Sequence, residues 1–180
     1  MLYYIRGYQS TPDSAKGTLF RQKLNTQSID YHQGEQEDIE ITECLRKITE
    51  ATQNDDNTIL IGSSLGGFLA AKTGLDHPNI KSLILLNPAI IPPEADTTKC
   101  KGIPHRILLE MVDHRLFKEK ITADTYILIG TRDEAIPQEW TLRFAMTQEA
   151  TVRFLIDDHG FTRNLTRLPE LLSAILHLQL

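Results

Sequence analysis

Apolar positions along the chain follow two alternating spacings, and this alternation predicts a mixed α/β architecture. Short, continuous apolar runs rich in β-branched residues are typical of strands buried on both faces of a sheet. Segments with apolar residues three or four positions apart predict amphipathic helices, as Ile41, Leu45 and Ile48 illustrate. The pattern predicts six strands, at 2–6, 28–32, 57–62, 82–87, 125–130 and 151–156. It predicts helices at 15–24, 34–53, 64–74, 137–148 and 164–178.

Apolar strands that alternate with helices indicate an α/β fold with a mostly parallel, six-stranded sheet. We expect helices on both faces of this sheet and a single domain over 1–180. The segment 88–122 breaks the alternation, because proline and turn residues open it and a helical stretch follows. We expect it to form a small lid above the carboxyl ends of the strands. Its apolar residues at 107–117 either line a hydrophobic acyl site or pack on their own core.

The composition excludes several classes of function. The chain has 180 residues, a net charge of −5 and no basic run, which argues against a nucleic-acid partner. Cys44 and Cys100 stand in no metal-ligand spacing, so no metal site is predicted. No apolar run approaches the roughly 20 residues of a membrane-spanning helix, and the first residues lack the features of a signal peptide. We therefore expect a reduced, cytoplasmic protein.

The stretch GSSLG at 62–66 lies between a predicted strand and a predicted helix. A phosphate-binding P-loop requires a lysine six residues after its first glycine, and this chain has Phe68 there. The stretch fits the G-x-S-x-G turn, in which a strained serine needs small neighbours two positions away on either side. This spacing selects Ser64 over Ser63 as a nucleophile. The alternative is a plain turn in which one of these serines caps the helix.

A serine nucleophile needs a general base, and the base needs an anionic partner. His159 follows the last predicted strand and is the candidate base, whereas a loop histidine that caps the next helix is the alternative. Asp133 follows the fifth strand and is the candidate acid, with Glu134 as the runner-up. The alternative for Asp133 is an Asx turn or a helix cap. Asp157 and Asp158 are too close to His159 in sequence to be preferred.

An oxyanion hole needs two backbone N–H donors aimed at the charge that develops in the reaction. Leu65, directly after Ser64, is expected to supply one of them. Tyr8, in the loop after the first strand, is expected to supply the other. Gly7 lets this loop approach closely, and we expect Gly7 and Ser63 to line the substrate site.

Four segments together resemble a known family: RGY at 6–8, GSSLGG at 62–67, GTRDEAIP at 130–137 and DDHGF at 157–161. They are similar to the small YqiA/YcfP-like esterases of the α/β-hydrolase superfamily, and the resemblance spans nearly the whole chain. It implies a trimmed α/β-hydrolase fold that lacks the first antiparallel strands. It also implies hydrolysis of acyl esters or thioesters without a metal or an organic cofactor.

Carried over by position, the resemblance implies one nucleophile, one acid, one base and two oxyanion donors, namely Ser64, Asp133, His159, Tyr8 and Leu65. The chain departs from the family in one place. The family usually has His-Gly after the first strand, whereas this chain has Arg6 and Gly7. Arg6 is expected either to favour an anionic acyl group or to reorganise this loop.

The sequence thus predicts a carboxylesterase or thioesterase that cleaves a small acyl ester or thioester through an acyl-serine intermediate. Two alternatives stay open, because a fold alone does not determine a function. A non-hydrolytic enzyme of the same fold, such as a C–C lyase or a menaquinone-pathway synthase, would use the triad for proton abstraction. A catalytically silent module would bind a ligand without turnover.

Overall fold

The computed structural model describes residues 1–177. Its centre is a sheet of six strands, β1 Leu2–Ile5, β2 Gln27–Ser28, β3 Thr58–Ser63, β4 Ile80–Leu86, β5 Asp124–Gly130 and β6 Thr151–Leu155. The strands are ordered β2-β1-β3-β4-β5-β6, and each neighbouring pair is parallel. This confirms the six-stranded sheet that the apolar runs predict.

Within the described residues, six α-helices accompany these strands: α1 Ala15–Leu24, α2 Ile41–Thr52, α3 Leu65–Asp76, α4 His105–Glu110, α5 Gln138–Gln148 and α6 Leu168–His177. Successive side chains of a strand point to opposite faces of the sheet. Leu83 and Leu85 of β4 therefore join the cluster that includes residues of α2, α3 and α5. Ile84 and Leu86 join the cluster that includes residues of α1 and α6. Helices thus cover both faces of the sheet, as predicted.

The helix predicted over 34–53 begins later, at Ile41. Residues Gln36–Asp38 form only a short 3₁₀ turn, and Ile39 after it has extended backbone, with φ −60° and ψ 125°. The Ile39 side chain is fully buried in the core. Burial of an apolar side chain of this size stabilises the fold by about 1.5–3 kcal/mol, which exceeds the small differences in helix propensity of its neighbours.

The helix predicted to stop at Gly74 continues to Asp76. A Cβ atom at Gly74 would lie 3.0 Å from a methyl carbon of Leu83. This glycine therefore allows close packing between helix and sheet and does not end the helix. The last helix begins at Leu168, and its predicted end at 178 lies outside the described residues.

The segment 88–122 packs into the main core. Its buried side chains belong to the cluster that also holds the inner residues of β4 and β5: Ile90, Ile91, Ile103, Ile107, Leu108, Met111, Leu116 and Ile121. Ion pairs also join it to α3, since Lys72 Nζ lies 2.6 Å from Asp113 and the Arg115 guanidinium lies 2.8 Å from Asp76. That the segment acts as a lid stays a prediction.

Two further features bear on the class of protein. Cys44 and Cys100 are both buried and form no disulfide. In the part of the chain that the structure describes, no helix combines the length and the apolar character that crossing a bilayer requires.

Two adjacent leucines test the packing of segment 88–122. Leu108 is 2% exposed and Leu109 is 57% exposed. We expect Leu108→Ala to lower the free energy of unfolding by about 2–5 kcal/mol, because it leaves a cavity in the core. The matched change Leu109→Ala should cost less than about 0.5 kcal/mol. Urea unfolding followed by Trp140 fluorescence measures both values, and equally small losses would contradict this packing.

Candidate active site

Three loops at one edge of the sheet carry the candidate residues. Ser64 directly follows β3, Asp133 lies three residues after the end of β5, and His159 lies four residues after the end of β6. Because all these strands are parallel, their carboxyl ends meet at the same edge, where α/β proteins form their binding sites. The fold therefore brings these loops together, as the order of elements predicts.

The backbone at Ser64 adopts a strained conformation, and the glycines two positions away on either side allow it. Ser64 has φ 55° and ψ −119°, a conformation that non-glycine residues rarely adopt. A Cβ atom at Gly62 would lie 2.3 Å from the carbonyl oxygen of Gly66. One at Gly66 would lie 2.2 Å from the carbonyl oxygen of Ile5. Both flanking positions therefore require glycine, which is the physical reason for the G-x-S-x-G spacing.

Neither serine side chain acts as the helix cap that the alternative interpretation requires. Ser64 occupies the N-cap position of α3, but its side chain makes no capping hydrogen bond. Ser63 Oγ instead accepts a hydrogen bond from Lys16 Nζ at 3.2 Å.

His159 and Asp133 form a hydrogen-bonded pair. His159 Nδ1 lies 2.8 Å from Asp133 Oδ2, and the Asp133 side chain is 2% exposed. Asp133 Oδ1 accepts hydrogen bonds from the backbone N–H groups of Ala135 and Ile136. Asp133 therefore makes the Asx turn and holds His159 at the same time, with one oxygen for each. An ionised carboxylate only accepts hydrogen bonds, so this contact favours the tautomer of the neutral imidazole in which Nδ1 carries the proton and the Nε2 lone pair is free.

The other nearby carboxylates do not bind His159. Glu134 is exposed. Asp157 is buried and accepts hydrogen bonds from the backbone N–H groups of Asp158 and Arg163, and from both the backbone and the side chain of Asn164. Burial alone would raise the pKa of Asp157, but these hydrogen bonds hold that pKa below its ordinary value. Asp157 therefore shapes the loop that carries His159.

Asn87 and Phe161 also hold this loop in place. The Asn87 side-chain amide donates to the carbonyl oxygens of Asp158 and His159, and its oxygen accepts from the N–H of Gly130. Phe161 has a positive φ of 57° and a fully buried side chain. The sequence marks Asn87 as a polar residue at the carboxyl end of a buried strand, but gives no signal for its partners.

A cavity of about 340 Å³ opens between these loops, and the predicted residues Gly7, Tyr8, Ser63, Ser64 and His159 all line it. A Cβ atom at Gly7 would lie 3.2 Å from the Cβ of Ser64, so only glycine allows this approach without displacing its neighbours.

The two predicted oxyanion donors differ in their placement. Leu65 is fully buried, does not line the cavity and is the first residue of α3. Tyr8 lines the cavity. Within residues 1–177, the backbone N–H groups of Tyr8 and Leu65 donate to no protein acceptor.

Lys16 also lines this cavity, although no pattern in the sequence predicts a role for it. The residue is half-buried, and its ammonium lies 5.9 Å from the centre of the Phe161 ring. Burial lowers the pKa of Lys16, although the charges of Asp158, Asp157 and Asp133 oppose this shift. The one feature of the sequence that could have indicated Lys16 is its position in the first turn of α1, which follows β1 at the edge of the sheet where the site forms.

Arg6 lies behind the loop and does not line the cavity. Its guanidinium is buried over the ring of Tyr31 at 4.4 Å and donates to the carbonyl oxygen of His32 at 2.9 Å. Tyr31 in turn donates its hydroxyl to the carbonyl oxygen of Gly7 at 3.3 Å. Arg6 therefore supports the loop through Tyr31 and is not in contact with the cavity.

A second cavity of about 460 Å³ lies on another side of His159 and is lined by Lys101, Arg132, Glu134, Ala135, Asp158 and His159. No residue of 107–117 lines either cavity, and the buried side chains of Ile107, Leu108, Met111 and Leu116 pack in the core. These side chains belong to the main core of the domain and do not form the separate core of their own that the second alternative for this stretch expected. Among residues 1–177, no group of three or more His, Cys, Asp or Glu side chains is arranged to hold a metal ion.

Comparison with known proteins identifies a family and a fold. The profile of UPF0227, an uncharacterised protein family, matches residues 1–179. A search of curated proteins finds no match.

Three solved structures are similar to this chain. Est1E from Butyrivibrio proteoclasticus has a TM-score of 0.80 at 20% identity, covering 99% of this chain and 87% of Est1E. Alpha/beta hydrolase domain-containing protein 10 from mouse has a TM-score of 0.80 at 18% identity, covering 99% and 90%. The Pyrococcus furiosus esterase Pf2001 has a TM-score of 0.69 at 15% identity, covering 97% and 79%. These similarities confirm the predicted α/β-hydrolase fold.

The hydrogen bonds of Asn87 can be tested against a second asparagine with positive φ. Asn87→Gly keeps a residue that tolerates φ 43° but leaves the Gly130 N–H without its acceptor. We expect it to lower the free energy of unfolding by about 1–3 kcal/mol and to speed amide exchange at Gly130. Asn25, at φ 55°, is exposed, so Asn25→Gly should change stability by less than about 0.5 kcal/mol. Denaturant unfolding and hydrogen exchange measure both effects, and equal values for the two variants would contradict the role of Asn87.

Proposed function

The chain belongs to UPF0227, and we propose that it is a serine hydrolase that cleaves a small carboxylic ester or thioester. One observation carries the proposal: His159, which is hydrogen-bonded to Asp133, lines the same cavity as the strained Ser64. A nucleophile, a base and a group that orients the base are the parts that covalent hydrolysis requires. The α/β-hydrolase fold, which esterases share, supports the same conclusion.

In the first half of the reaction, Ser64 Oγ attacks the carbonyl carbon of the substrate while His159 Nε2 takes the serine proton. Asp133 keeps Nδ1 protonated and stabilises the imidazolium that forms. The tetrahedral intermediate then collapses and expels the alcohol or thiol, which receives the proton from His159. The acyl group remains on Ser64.

The negative oxygen of the tetrahedral intermediate needs donors that are in place before the reaction. We assign the backbone N–H groups of Tyr8 and Leu65 to this role, because they have no protein acceptor among the described residues. Gly7 supports the assignment, since its lack of a side chain lets the Tyr8 loop approach Ser64.

In the second half, water attacks the acyl carbon and gives a proton to His159. The carboxylic acid leaves and Ser64 recovers its proton, so the enzyme returns to its starting state. Every proton transfer uses His159, and the proposal needs no metal and no organic cofactor. A cavity of about 340 Å³ suits a small acyl group or leaving group.

Labelling with a fluorophosphonate probe tests the nucleophile. Wild-type protein and Ser63→Ala should be labelled, whereas Ser64→Ala should not. We expect Ser64→Ala to lower kcat/KM for p-nitrophenyl butyrate by at least about 10⁴-fold, because the acyl-serine cannot form. Labelling that is lost only in Ser63→Ala would contradict the proposal and identify Ser63 as the nucleophile. A folded wild type that neither labels nor cleaves the ester would favour a non-hydrolytic enzyme or a binding module.

Two isosteric changes test the acid. Asp133→Asn should lower kcat for the same ester by about 10³–10⁴-fold, because an amide no longer fixes the required tautomer of His159. Glu134→Gln, at the neighbouring exposed carboxylate, should change kcat by less than about threefold. Steady-state kinetics, with circular dichroism as a check on folding, measure both variants. A larger loss in Glu134→Gln would transfer the role of the acid to Glu134.

A further inference from the structure

The cavity at Ser64 contains a cation for which the hydrolysis scheme above has no use. Lys16 Nζ donates to Ser63 Oγ at 3.2 Å, and both residues line the cavity. An ammonium group has three N–H donors, so two remain for a ligand or for water. Within the part of the chain described, no carboxylate lies within salt-bridge distance of Lys16 Nζ.

The acidic groups that act on Lys16 at longer range are already engaged elsewhere. Asp133 binds His159 and two backbone N–H groups. Asp157 is held by Asn164 and its neighbours, and Asp158 accepts from the N–H of Thr162. All three carboxylates thus accept hydrogen bonds from groups other than Lys16. The charge of Lys16 is therefore left for a group that enters the cavity.

The cost of holding this charge argues against a purely structural role. Partial burial of an ammonium group is unfavourable unless the charge is compensated. The hydrogen bond to a neutral hydroxyl, the ring of Phe161 and the more distant aspartates compensate it only in part, which agrees with the lowered pKa of Lys16. A bound anion would favour the charged form. The hydroxyls of Ser10, Ser14 and Thr162 line the same cavity and can donate to such an anion.

We propose that Lys16 recognises a carboxylate of the substrate, so that the preferred substrates are esters with an anionic group close to the scissile bond. Lys16 binds the side chain of the residue directly before Ser64, and its charge lies at the cavity that Ser64 also lines. The inference rests on the proposed hydrolase function and adds the class of substrate. The carboxylate belongs either to the acyl group or to the leaving group, and the experiment distinguishes these sources.

Two pairs of esters test the effect of the substrate's charge, because the two members of each pair have similar shapes and only one of them is anionic. On the acyl side, monoethyl succinate is compared with ethyl levulinate, in which a methyl ketone replaces the carboxylate. On the leaving-group side, para-acetoxybenzoate is compared with para-acetoxyacetophenone. We expect wild-type kcat/KM to favour the anionic ester of one pair by about 10- to 100-fold, the usual effect of a hydrogen bond to a charged group. The pair that shows this preference identifies the source of the carboxylate.

Three variants then assign the preference to Lys16. Lys16→Met should reduce the ratio of kcat/KM between anionic and neutral ester to near one, and Lys16→Arg should keep part of it because it keeps the charge. The matched control is Lys23→Met, at an exposed lysine of the same helix, which should keep the wild-type ratio. Fluorophosphonate labelling of each variant shows that the Ser64 site is folded.

The failures are distinguishable. A wild type that labels and cleaves neutral and anionic esters equally well overturns the inference and leaves the hydrolase function standing. An equal loss on all four esters in Lys16→Met also overturns it, because Lys16 would then act on Ser63 or on the reaction itself. A wild type that neither labels nor cleaves any of the esters overturns both proposals.

Discussion

The close contact between β1, β3 and the first turn of α3 is the constraint on which the candidate site depends. The backbones at Gly62, Gly66 and Ile5 approach so closely that no side chain fits at either glycine. The chain can pass between β3 and α3 only through a sharp turn, and Ser64 at φ 55° occupies that turn. The surrounding sheet and helix stabilise the strained residue. Gly7 continues the same contact, because it brings the loop after β1 against Ser64.

Most of the fold could be predicted because a doubly covered parallel sheet leaves a direct pattern in the sequence. The four inner strands β1, β3, β4 and β5 are mostly buried and apolar, whereas the edge strands β2 and β6 are more exposed. The helices between the strands pack on the faces of the sheet. The errors arose where one tertiary contact outweighed the local pattern. The backbone at Ile39 is extended because its side chain is buried in the core, so α2 begins only after it. Gly74 lies inside α3, where it allows Leu83 to pack closely against the helix. Neither contact can be predicted from spacing alone.

Some residues of the candidate site could likewise be predicted from local sequence patterns, whereas others depend on tertiary contacts. Ser64 and His159 could be predicted from a spacing rule and from their place after parallel strands. The two interpretations of Asp133 could not be separated, since its two carboxylate oxygens serve both at once. The contact of Lys16 and the partners of Asn87 could not be predicted, because tertiary packing determines the direction in which a side chain points. The position of a residue along a helix or strand can be predicted from the local sequence, but the groups that a long side chain contacts cannot.

The loop between His159 and Phe161 is preorganised. Phe161 is buried at a positive φ among the residues of α1 and α6, and Asn87 holds the carbonyl of His159. The conformational entropy of this loop is therefore lost when the chain folds and not when a substrate arrives. A ligand that enters the cavity meets groups already in position, so its binding free energy is not reduced by ordering the loop. Because Phe161 packs among residues of α1 and α6, loss of that packing would also loosen the loop that carries His159, which couples the integrity of the site to the stability of this half of the core.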